Sequence, residues 1–265
     1  RFLKLKVALP FLSSKRLELG FGIAQIEDRY FQNNVIDFDK DKYDKSGYRL
    51  FGGSVSFNGS TLNSRQFPIQ GAREALVAQI FTGNESFRPG VNSENKKPVK
   101  EKHSWLQLSY MKEKYHKMGA NWILGWYLDA VYASKNFSEN YTATMMQASE
   151  FAPTAHSKLT YNEAFRANQY VAAGIRPIYR LNQMFHVRGE FYGFLPIFPI
   201  ERNSINKAYY GKAFSRFEYL GEISVVCQLP FGAISAYVNH YSSPRREWNV
   251  GLTLGWQLFN YRFIE

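Results

Sequence analysis

Alternation of apolar and polar residues is the dominant pattern along this chain. Near its end, apolar side chains occupy every second position, with small or polar side chains between them: Trp248, Val250, Leu252, Leu254, Trp256 and Leu258. Successive side chains of a β-strand point to opposite faces, so this segment is predicted to be a strand with one apolar face.

The same alternation occurs in ten earlier segments: Leu3–Leu9, Leu17–Ile23, Phe51–Phe57, Leu76–Ile80, Leu106–Tyr110, Trp122–Leu128, Val171–Tyr179, Phe185–Leu195, Phe217–Cys227 and Ile234–Val238. Strands of globular proteins usually contain about five or six residues. A strand that crosses a bilayer needs roughly 9–11 residues. Long strands with an aromatic-rich apolar face and a charged opposite face predict an all-β fold, an antiparallel transmembrane β-barrel with about eleven strands in this chain.

A soluble β-sandwich or lipocalin-like barrel is the alternative. Its apolar face would point inward, and periodicity does not distinguish the two arrangements. Strand length and the charge on the polar face favour the membrane. Aromatic residues near strand ends are then expected at the bilayer interfaces: Trp105, Trp122, Tyr132, Trp248 and Tyr261.

Loop lengths alternate and predict an orientation. Short connections are predicted at Pro10–Lys15, Asn63–Gly71, Lys117–Gly119, Leu181–Gln183 and Pro230–Gly232. Long ones are predicted at Phe31–Ser46, Gly83–Lys102, Ser134–Phe165 and Ile197–Phe214. Outer-membrane barrels have short periplasmic turns and long outer loops. We therefore expect a bacterial outer-membrane location, long loops at the cell surface, a short outer hairpin at Ser242–Arg246 and the C-terminus in the periplasm. Eleven is an odd number, so at least one further strand is expected before Arg1.

Composition removes several classes of function. The chain has 265 residues and a net charge of +11, with one Cys and five His. A single Cys227 excludes a disulfide scaffold, and the scattered histidines do not supply a structural zinc site, so no metal is predicted. No apolar run approaches the roughly 20 residues of a membrane helix. The basic residues gather in predicted loops, where charge is usually solvated, so we expect no nucleic-acid partner.

No catalytic constellation is apparent. The nearest match to a Gly-x-Ser-x-Gly nucleophile elbow is Gly52-Gly53-Ser54-Val55-Ser56, which lacks the final Gly and lies inside a β-periodic segment. Glu218 and Glu222 share the polar face with Glu190 and Arg216, and we interpret them as part of a network of charge pairs inside the barrel. We therefore expect no enzyme activity in this chain, no catalytic residues and no cofactor.

One turn carries a family resemblance. LNSRQFPIQG, from Leu62 to Gly71, resembles the periplasmic turn of the outer-membrane assembly and two-partner-secretion transporter superfamily, with Phe67, Pro68 and Gly71 matching its Phe-Pro-x-x-Gly pattern. Barrels of that superfamily have 16 strands. The resemblance implies that residues 1–265 form the C-terminal portion of such a barrel.

The resemblance also implies a charge pair. The family's long outer loop carries a Val/Ile-Arg-Gly-Phe/Tyr tetrad, whose Arg reaches into the barrel and pairs with an acidic residue on the next strand but one. Arg166 occupies the corresponding position, although Phe165-Arg166-Ala167-Asn168 lacks the Gly and the aromatic residue. The matching acidic residue is Glu190, where relatives more often have Asp. Arg166 and Glu190 are therefore predicted to pair inside the barrel and to hold the loop there.

A more specific resemblance is to the C-terminal barrel of bacterial patatin-like phospholipases. The segments EFAPTAHSK, FRANQYVAAGIRPI, RGEFYGFLP and YLGEISVVCQLPFGAISAYVNHYSSP carry it, together with NVGLTLGWQLFNYRFIE. It implies a barrel that anchors, and helps to translocate, an N-terminal lipid hydrolase, with the hydrolase and linking domains absent from this chain. The implied partners are outer-membrane lipid and a second copy of the chain or other outer-membrane proteins. An assembly or secretion pore without a hydrolase and a soluble lipid-binding β-barrel remain alternatives.

Overall fold

A computed structural model describes residues 1–32, 42–91, 93, 95–230, 232–243 and 248–255. Strands account for most of these residues. In chain order they are β1 (Phe2–Leu12), β2 (Lys15–Tyr30), β3 (Asp44–Ser60), β4 (Gly71–Arg88), β5 (Val99–Lys117), β6 (Trp122–Ala133), β7 (Ser149–Glu150), β8 (Arg166–Ala167), β9 (Gln169–Arg180), β10 (Phe185–Pro196), β11 (Ile200–Arg202), β12 (Ala208–Tyr210), β13 (Glu218–Leu229), β14 (Gly232–Tyr241) and β15 (Trp248–Gly255).

Helices are few and short. One α-helix, α1 (Tyr141–Gln147), begins at the N-cap residue Asn140, whose side chain accepts a hydrogen bond from the backbone N–H of Ala143. Two single 3-10 turns follow at Ser157–Leu159 and Glu163–Phe165. In the described part of the chain, no helix has the length and apolar character needed to cross a membrane.

The eleven long strands form one antiparallel sheet in the order β1-β2-β3-β4-β5-β6-β9-β10-β13-β14-β15. Sequence-adjacent long strands pair as hairpins throughout, which confirms the predicted all-β antiparallel fold and the eleven predicted strands. β1 and β15 stand at the two ends of this order, and the residues described do not join them, so the sheet is open there. β7 pairs with β8, and β11 with β12, outside the sheet.

The two faces of the sheet differ sharply. We call the exposed apolar face the outer face: Phe21 is 77% exposed, Ile223 64% and Leu252 81%. The opposite, buried face is the inner face, and it carries charged residues, with Arg188 2% exposed and Glu222 4%. The predicted alternation therefore has its apolar positions outside and its charges inside.

The sheet curves around its inner face. Phe67, in the connection between β3 and β4, packs against Val226 on β13 and Ala233 on β14. In a flat sheet β4 and β13 would be roughly 24 Å apart, at about 4.8 Å per strand. The connection between β3 and β4 leaves the sheet and returns to it, so its tip can lie at most roughly 17 Å from the strand ends, at about 3.4 Å per residue for half of its length. The contact therefore requires the strands to bend towards one another.

Several details differ from the sequence-based expectations. The long loop predicted at Gly83–Lys102 is wrong at both ends, because β4 continues to Arg88 and β5 begins at Val99. Trp105 is not an interfacial residue: it is 4% exposed and stacks on Phe81 inside the sheet, with ring centroids 4.8 Å apart. Trp122, Tyr132 and Trp248 are exposed as expected. Tyr261, Trp256 and Leu258, the end of the predicted outer hairpin and the C-terminal residue lie outside the described residues.

Candidate functional site: the inner face and the segment folded against it

The connection between β6 and β9, residues 134–168, folds back onto the inner face, and we call it the inserted segment. Phe151 lies in an aromatic cluster with Tyr170, Tyr192 and Phe194, at ring-centroid distances of 5.6 to 6.1 Å. Phe165 belongs to the same buried cluster and packs edge-on against Tyr241 on β14. The inserted segment therefore occupies the space that the curved sheet encloses.

Arg166 lies in the inserted segment, but it does not pair with Glu190. Its guanidinium forms an ion pair with Glu150, with Nη2 3.0 Å from Oε2, and Nη1 donates to the carbonyl oxygens of Met146 and Ala148 at 3.2 Å each. The pairing of β7 with β8 sets this contact, because it brings Glu150 directly opposite Arg166. Arg166 also satisfies carbonyls at the C-terminal end of α1, where a positive charge is favourable. The predicted partner was therefore wrong: Arg166 bonds to other residues of the inserted segment and not to the sheet.

Glu190 belongs to a different cluster, the inner-face network, which consists of Glu113, Tyr115, Arg176, Arg188, Glu190 and Tyr192. Glu190 accepts hydrogen bonds from Arg188 Nε and from the Tyr192 hydroxyl, and its Oε2 lies 3.8 Å from Arg176 Nε. Arg176 forms an ion pair with Glu113. Two guanidinium groups therefore face two carboxylates, and the buried charges balance.

Hydroxyl groups link the two ion pairs of the network. Arg176 Nε donates to the Tyr192 hydroxyl at 2.6 Å, and Arg188 Nη2 donates to the Tyr115 hydroxyl at 3.0 Å. Tyr115 in turn donates to Glu113 Oε2 at 3.1 Å. Buried ions are tolerated when such bonds satisfy their remaining donors and acceptors. The network thus joins β5, β9 and β10 across the inner face.

A glycine on the intervening strand makes this crossing possible. β6 lies between β5 and β9 in the sheet, and Gly125 on β6 leaves the inner face open at that point. A Cβ atom at Gly125 would approach the Tyr115 ring to 2.6 Å and Arg176 Cβ to 3.1 Å. The missing side chain lets Tyr115 and Arg176 meet over β6.

The predicted turn motif is brought onto the inner face as well. Phe67 and Gly71 both adopt positive φ angles, 50° and 93°, and a Cβ on Gly71 would come within 2.1 Å of the Thr61 carbonyl oxygen. Only glycine tolerates that approach without a shift of the backbone. The Asn63 side chain accepts hydrogen bonds from the backbone N–H groups of Ile69 and Gln70, at 3.0 Å each.

Pro68 connects the turn to the inner-face network. Its carbonyl oxygen accepts a hydrogen bond from Arg188 Nη1 at 2.8 Å. Phe67 and Pro68 lie in the connection between β3 and β4, and Gly71 is the first residue of β4. The periplasmic location of this turn stays a prediction. Sequence reasoning missed that the turn folds inward and that Arg188, rather than Arg166, is the cation that meets Glu190. The only available signal was the inward parity of Arg188 and Glu190 on β10.

A cavity of about 560 Å³ lies between the turn, the inserted segment and the network. Its lining contains more basic than acidic side chains, with Arg65, Arg73 and Lys158 in addition to the balanced Arg and Glu pairs. The lining of this cavity therefore carries a positive excess.

A histidine joins the inserted segment to the far strands. His156 Nδ1 lies 3.5 Å from Glu222 Oε2 on β13, and its ring contacts Tyr237 on β14. Burial lowers the pKa of His156, which disfavours its charged form. The inserted segment therefore contacts β9 and β10 through aromatic packing, and β13 and β14 through His156.

Ser54 and Glu218 lie on strands of the sheet. Ser54 lies in the middle of β3, and its Oγ stands 2.4 Å from where a Cβ on Gly20 would be. Glu218 accepts hydrogen bonds from Arg216 Nε at 2.7 Å and from the Ser242 hydroxyl. Among the described residues, the one grouping of metal-ligating side chains that the fold assembles is Glu85, Glu101 and His103. Sequence analysis did not identify this grouping, because only the pairing of β4 with β5 brings Glu85 beside Glu101 and His103.

No protein-family model matches the chain, and no curated protein matches it either.

Proposed function

We propose that this chain is the C-terminal portion of a transmembrane β-barrel of a bacterial outer membrane, that its outer face contacts lipid, and that it acts as an anchor with an occluded interior. The single observation that carries this proposal is the inside-out distribution of the side chains. Large apolar residues are exposed on the outer face of every long strand, whereas Arg176, Arg188, Glu190 and Glu222 are buried.

The outer face is too apolar for a surface in water. Contiguous exposed apolar patches larger than a few hundred Å² mark contacts with membranes or partners. A soluble lipid-binding barrel requires the opposite arrangement, with apolar residues facing the enclosed space. The exposure of Phe21, Ile223 and Leu252 therefore argues against that alternative.

The filled inner face favours an anchor over an open pore. The inserted segment packs Phe151 and Phe165 into the enclosed space, and the inner-face network ties three strands and a turn together. A conducting or secreting pore needs that space to be free of packed side chains. An assembly or secretion pore would thus require the inserted segment to leave the inner face.

The sequence resemblance extends the proposal to an anchored patatin-like lipid hydrolase, which the barrel holds and helps to deliver. Its partners would be outer-membrane lipid and a second copy of the chain or other outer-membrane proteins. A polypeptide of this kind carries a Gly-x-Ser-x-Gly elbow and a partner Asp before residue 1. Repeated small βα modules in that position, without the elbow, would instead favour the assembly or secretion alternative.

Membrane insertion is tested by folding the full chain into phosphatidylcholine vesicles. We expect the chain to float with the vesicles on a density gradient, to resist extraction at alkaline pH, and to show strand-rich circular dichroism. The same chain with Val250 and Leu252 both changed to Lys is the matched variant, because these two residues are exposed on the outer face and do not line the inner cavity. Extraction of the unmodified chain from the vesicles, or equal insertion of the double variant, would overturn the proposal.

A further inference from the structure

Three metal-ligating side chains meet on the inner face near one end of β4 and β5. Glu85 lies on β4, and Glu101 and His103 lie on β5. One ligand atom from each lies within 4.8 Å of the other two. The register explains the grouping: Glu85 is directly opposite Glu101, and His103 follows two positions along the same strand, on the same face.

The two carboxylates face each other across the paired strands. Like charges directly opposite each other on paired strands destabilise the pair. Glu85 is 2% exposed, whereas Glu101 is exposed and has no hydrogen-bond or ion-pair partner among the residues described. A positive ion between the two carboxylates would turn this repulsion into attraction.

The histidine supplies the third donor. His103 is 3% exposed, and its Nε2 lies 2.8 Å from Glu85 Oε2. Nε2 is therefore the ring nitrogen that lies beside the carboxylates. Neutral imidazole nitrogen is a ligand that Zn²⁺ and other transition metals favour.

The distances suit a small divalent ion. Ligand atoms around tetrahedral Zn²⁺ are about 3.4 Å apart for bonds of about 2.1 Å. The contact of 2.8 Å and the spread of 4.8 Å bracket this value, so small side-chain rotations would complete the site. One imidazole and two carboxylates form a donor set that suits Zn²⁺ better than Mg²⁺ or Ca²⁺, which prefer oxygen ligands alone.

We propose that Glu85, Glu101 and His103 bind a divalent transition-metal ion, Zn²⁺ in the first instance, and that this ion fixes the inserted segment to the sheet. Glu85 Oε1 also accepts hydrogen bonds from the Tyr48 hydroxyl at 3.3 Å and from the backbone N–H of Glu139 at 3.4 Å. Tyr48 donates in turn to Ser138 at 2.8 Å. Both Ser138 and Glu139 belong to the inserted segment, so an ion that orders Glu85 also orders the start of that segment.

The test is Zn²⁺ binding to the full chain folded in vesicles after removal of metals with a chelator. A colorimetric zinc indicator competes for the ion and reports affinity and stoichiometry. We expect one Zn²⁺ per chain. Glu101→Gln, an exposed substitution that leaves the fold intact, should weaken binding at least about tenfold, since loss of even an outer-shell partner weakens metal sites about 10–100-fold. His103→Gln should weaken it further.

Glu74→Gln is the matched control, because Glu74 lies on β4 outside the cluster and the substitution is the same. Co²⁺ in place of Zn²⁺ gives a second readout, since its visible absorption changes when an imidazole ligand is lost. Zn²⁺ should also slow proteolysis of the inserted segment in the unmodified chain and not in Glu101→Gln. The proposal is wrong if the chain binds no Zn²⁺, or if Glu101→Gln and Glu74→Gln bind it with equal affinity.

Discussion

The outer and inner faces of the same sheet are built from different chemistry. On the outer face, apolar side chains such as Ile223 and Leu252 are exposed and make few specific contacts. On the inner face, Arg176, Arg188 and Glu190 each have defined partners in hydrogen bonds and ion pairs. The outer face should therefore depend on the solvent or lipid around it, whereas the inner face depends on individual residue contacts. The effect of a substitution on the free energy of unfolding should therefore depend on lipid on the outer face, and on the lost partner side chains on the inner face.

Removal of Arg188 should have the largest effect. Arg188→Ala leaves the buried Glu190 without its closest cation and frees the Pro68 carbonyl oxygen of the turn. Breaking a buried ion pair by removing one partner costs about 3–5 kcal/mol. We expect a loss of that size in the free energy of unfolding, measured by urea titration of the chain in vesicles. Arg16→Ala removes an exposed partner of Glu18 and should cost less than about 1 kcal/mol. Equal costs for the two variants would show that the inner-face network does not stabilise the fold.

Truncation of Phe151 should come next. Phe151 is 2% exposed and lies among the aromatic rings that hold the inserted segment. Phe151→Ala should lower the free energy of unfolding by about 3 kcal/mol, at the low end for buried phenylalanine because the surrounding rings can relax. It should also make the inserted segment sensitive to protease. Leu159→Ala, in the same segment at 82% exposure, is the control and should change neither quantity. Protease resistance in both variants would mean that Phe151 does not anchor the segment.

A charge on the outer face should have a smaller effect that depends on lipid. Ile223 lies near the middle of β13 and is 64% exposed. Ile223→Arg should cost about 2 kcal/mol in vesicles, because a charged side chain facing hydrocarbon is unfavourable. Ile205→Arg, in the connection between β11 and β12, is the matched control and should be neutral. If Ile223→Arg left the free energy of unfolding in vesicles unchanged, the outer face would not be in contact with hydrocarbon at this position.

Titration of Lys135 should give the smallest effect. Lys135 follows the end of β6, is 8% exposed, and its ammonium lies 4.7 Å from the Trp105 ring centroid. Burial lowers the pKa of Lys135 to about 8, although the nearby Glu85 and Asp28 raise it. The folded-state pKa is thus below the unfolded value of about 10.4. The folded state disfavours the charged form, and this penalty is fully present below pH 8 and disappears as the pH rises towards 10.4.

The inserted segment should accordingly become more stable by about 1–2 kcal/mol between pH 7 and pH 9.5. Hydrogen exchange of residues 134–140 measures this change. Lys135→Met lacks the titrating group and should show no such gain relative to the unmodified chain. A fall in protection of the unmodified chain over this range, relative to Lys135→Met, would contradict the assignment.

The strands could be predicted from the sequence, whereas the partners of individual side chains could not. The period of two is a local property, so all eleven long strands could be predicted from the residues alone. Strand length and the charge on the polar face, rather than the period, favoured the apolar face as the exposed one. The burial of Trp105 could also have been predicted, since its parity is opposite to that of Leu106 and Leu108, which are exposed. The polar ends of β4 and β5 were missed because charged residues there alternate with other polar residues and give no apolar period.

The pairing of Arg166 with Glu150 depends on how residues 134–168 fold, which no local pattern specifies. Two residues on each side form β7 and β8, too few for a periodic signal. The crossing of Tyr115 and Arg176 over Gly125 likewise depends on sheet order and curvature. The cluster of Glu85, Glu101 and His103 requires the register of two long strands. Long-range pairing, rather than residue type, separates what the sequence predicts from what it does not.

Lipid contact by the outer face can be measured with a cysteine scan along β13. Cys227 is first replaced by Ser, and single cysteines are placed at Ile223, Ser224, Val225 and Val226 and labelled with an environment-sensitive fluorophore in the folded chain. In vesicles of brominated lipid, we expect strong quenching at 223 and 225 and little at 224 and 226. Equal quenching at all four positions, or stronger quenching at 224 and 226, would contradict the account.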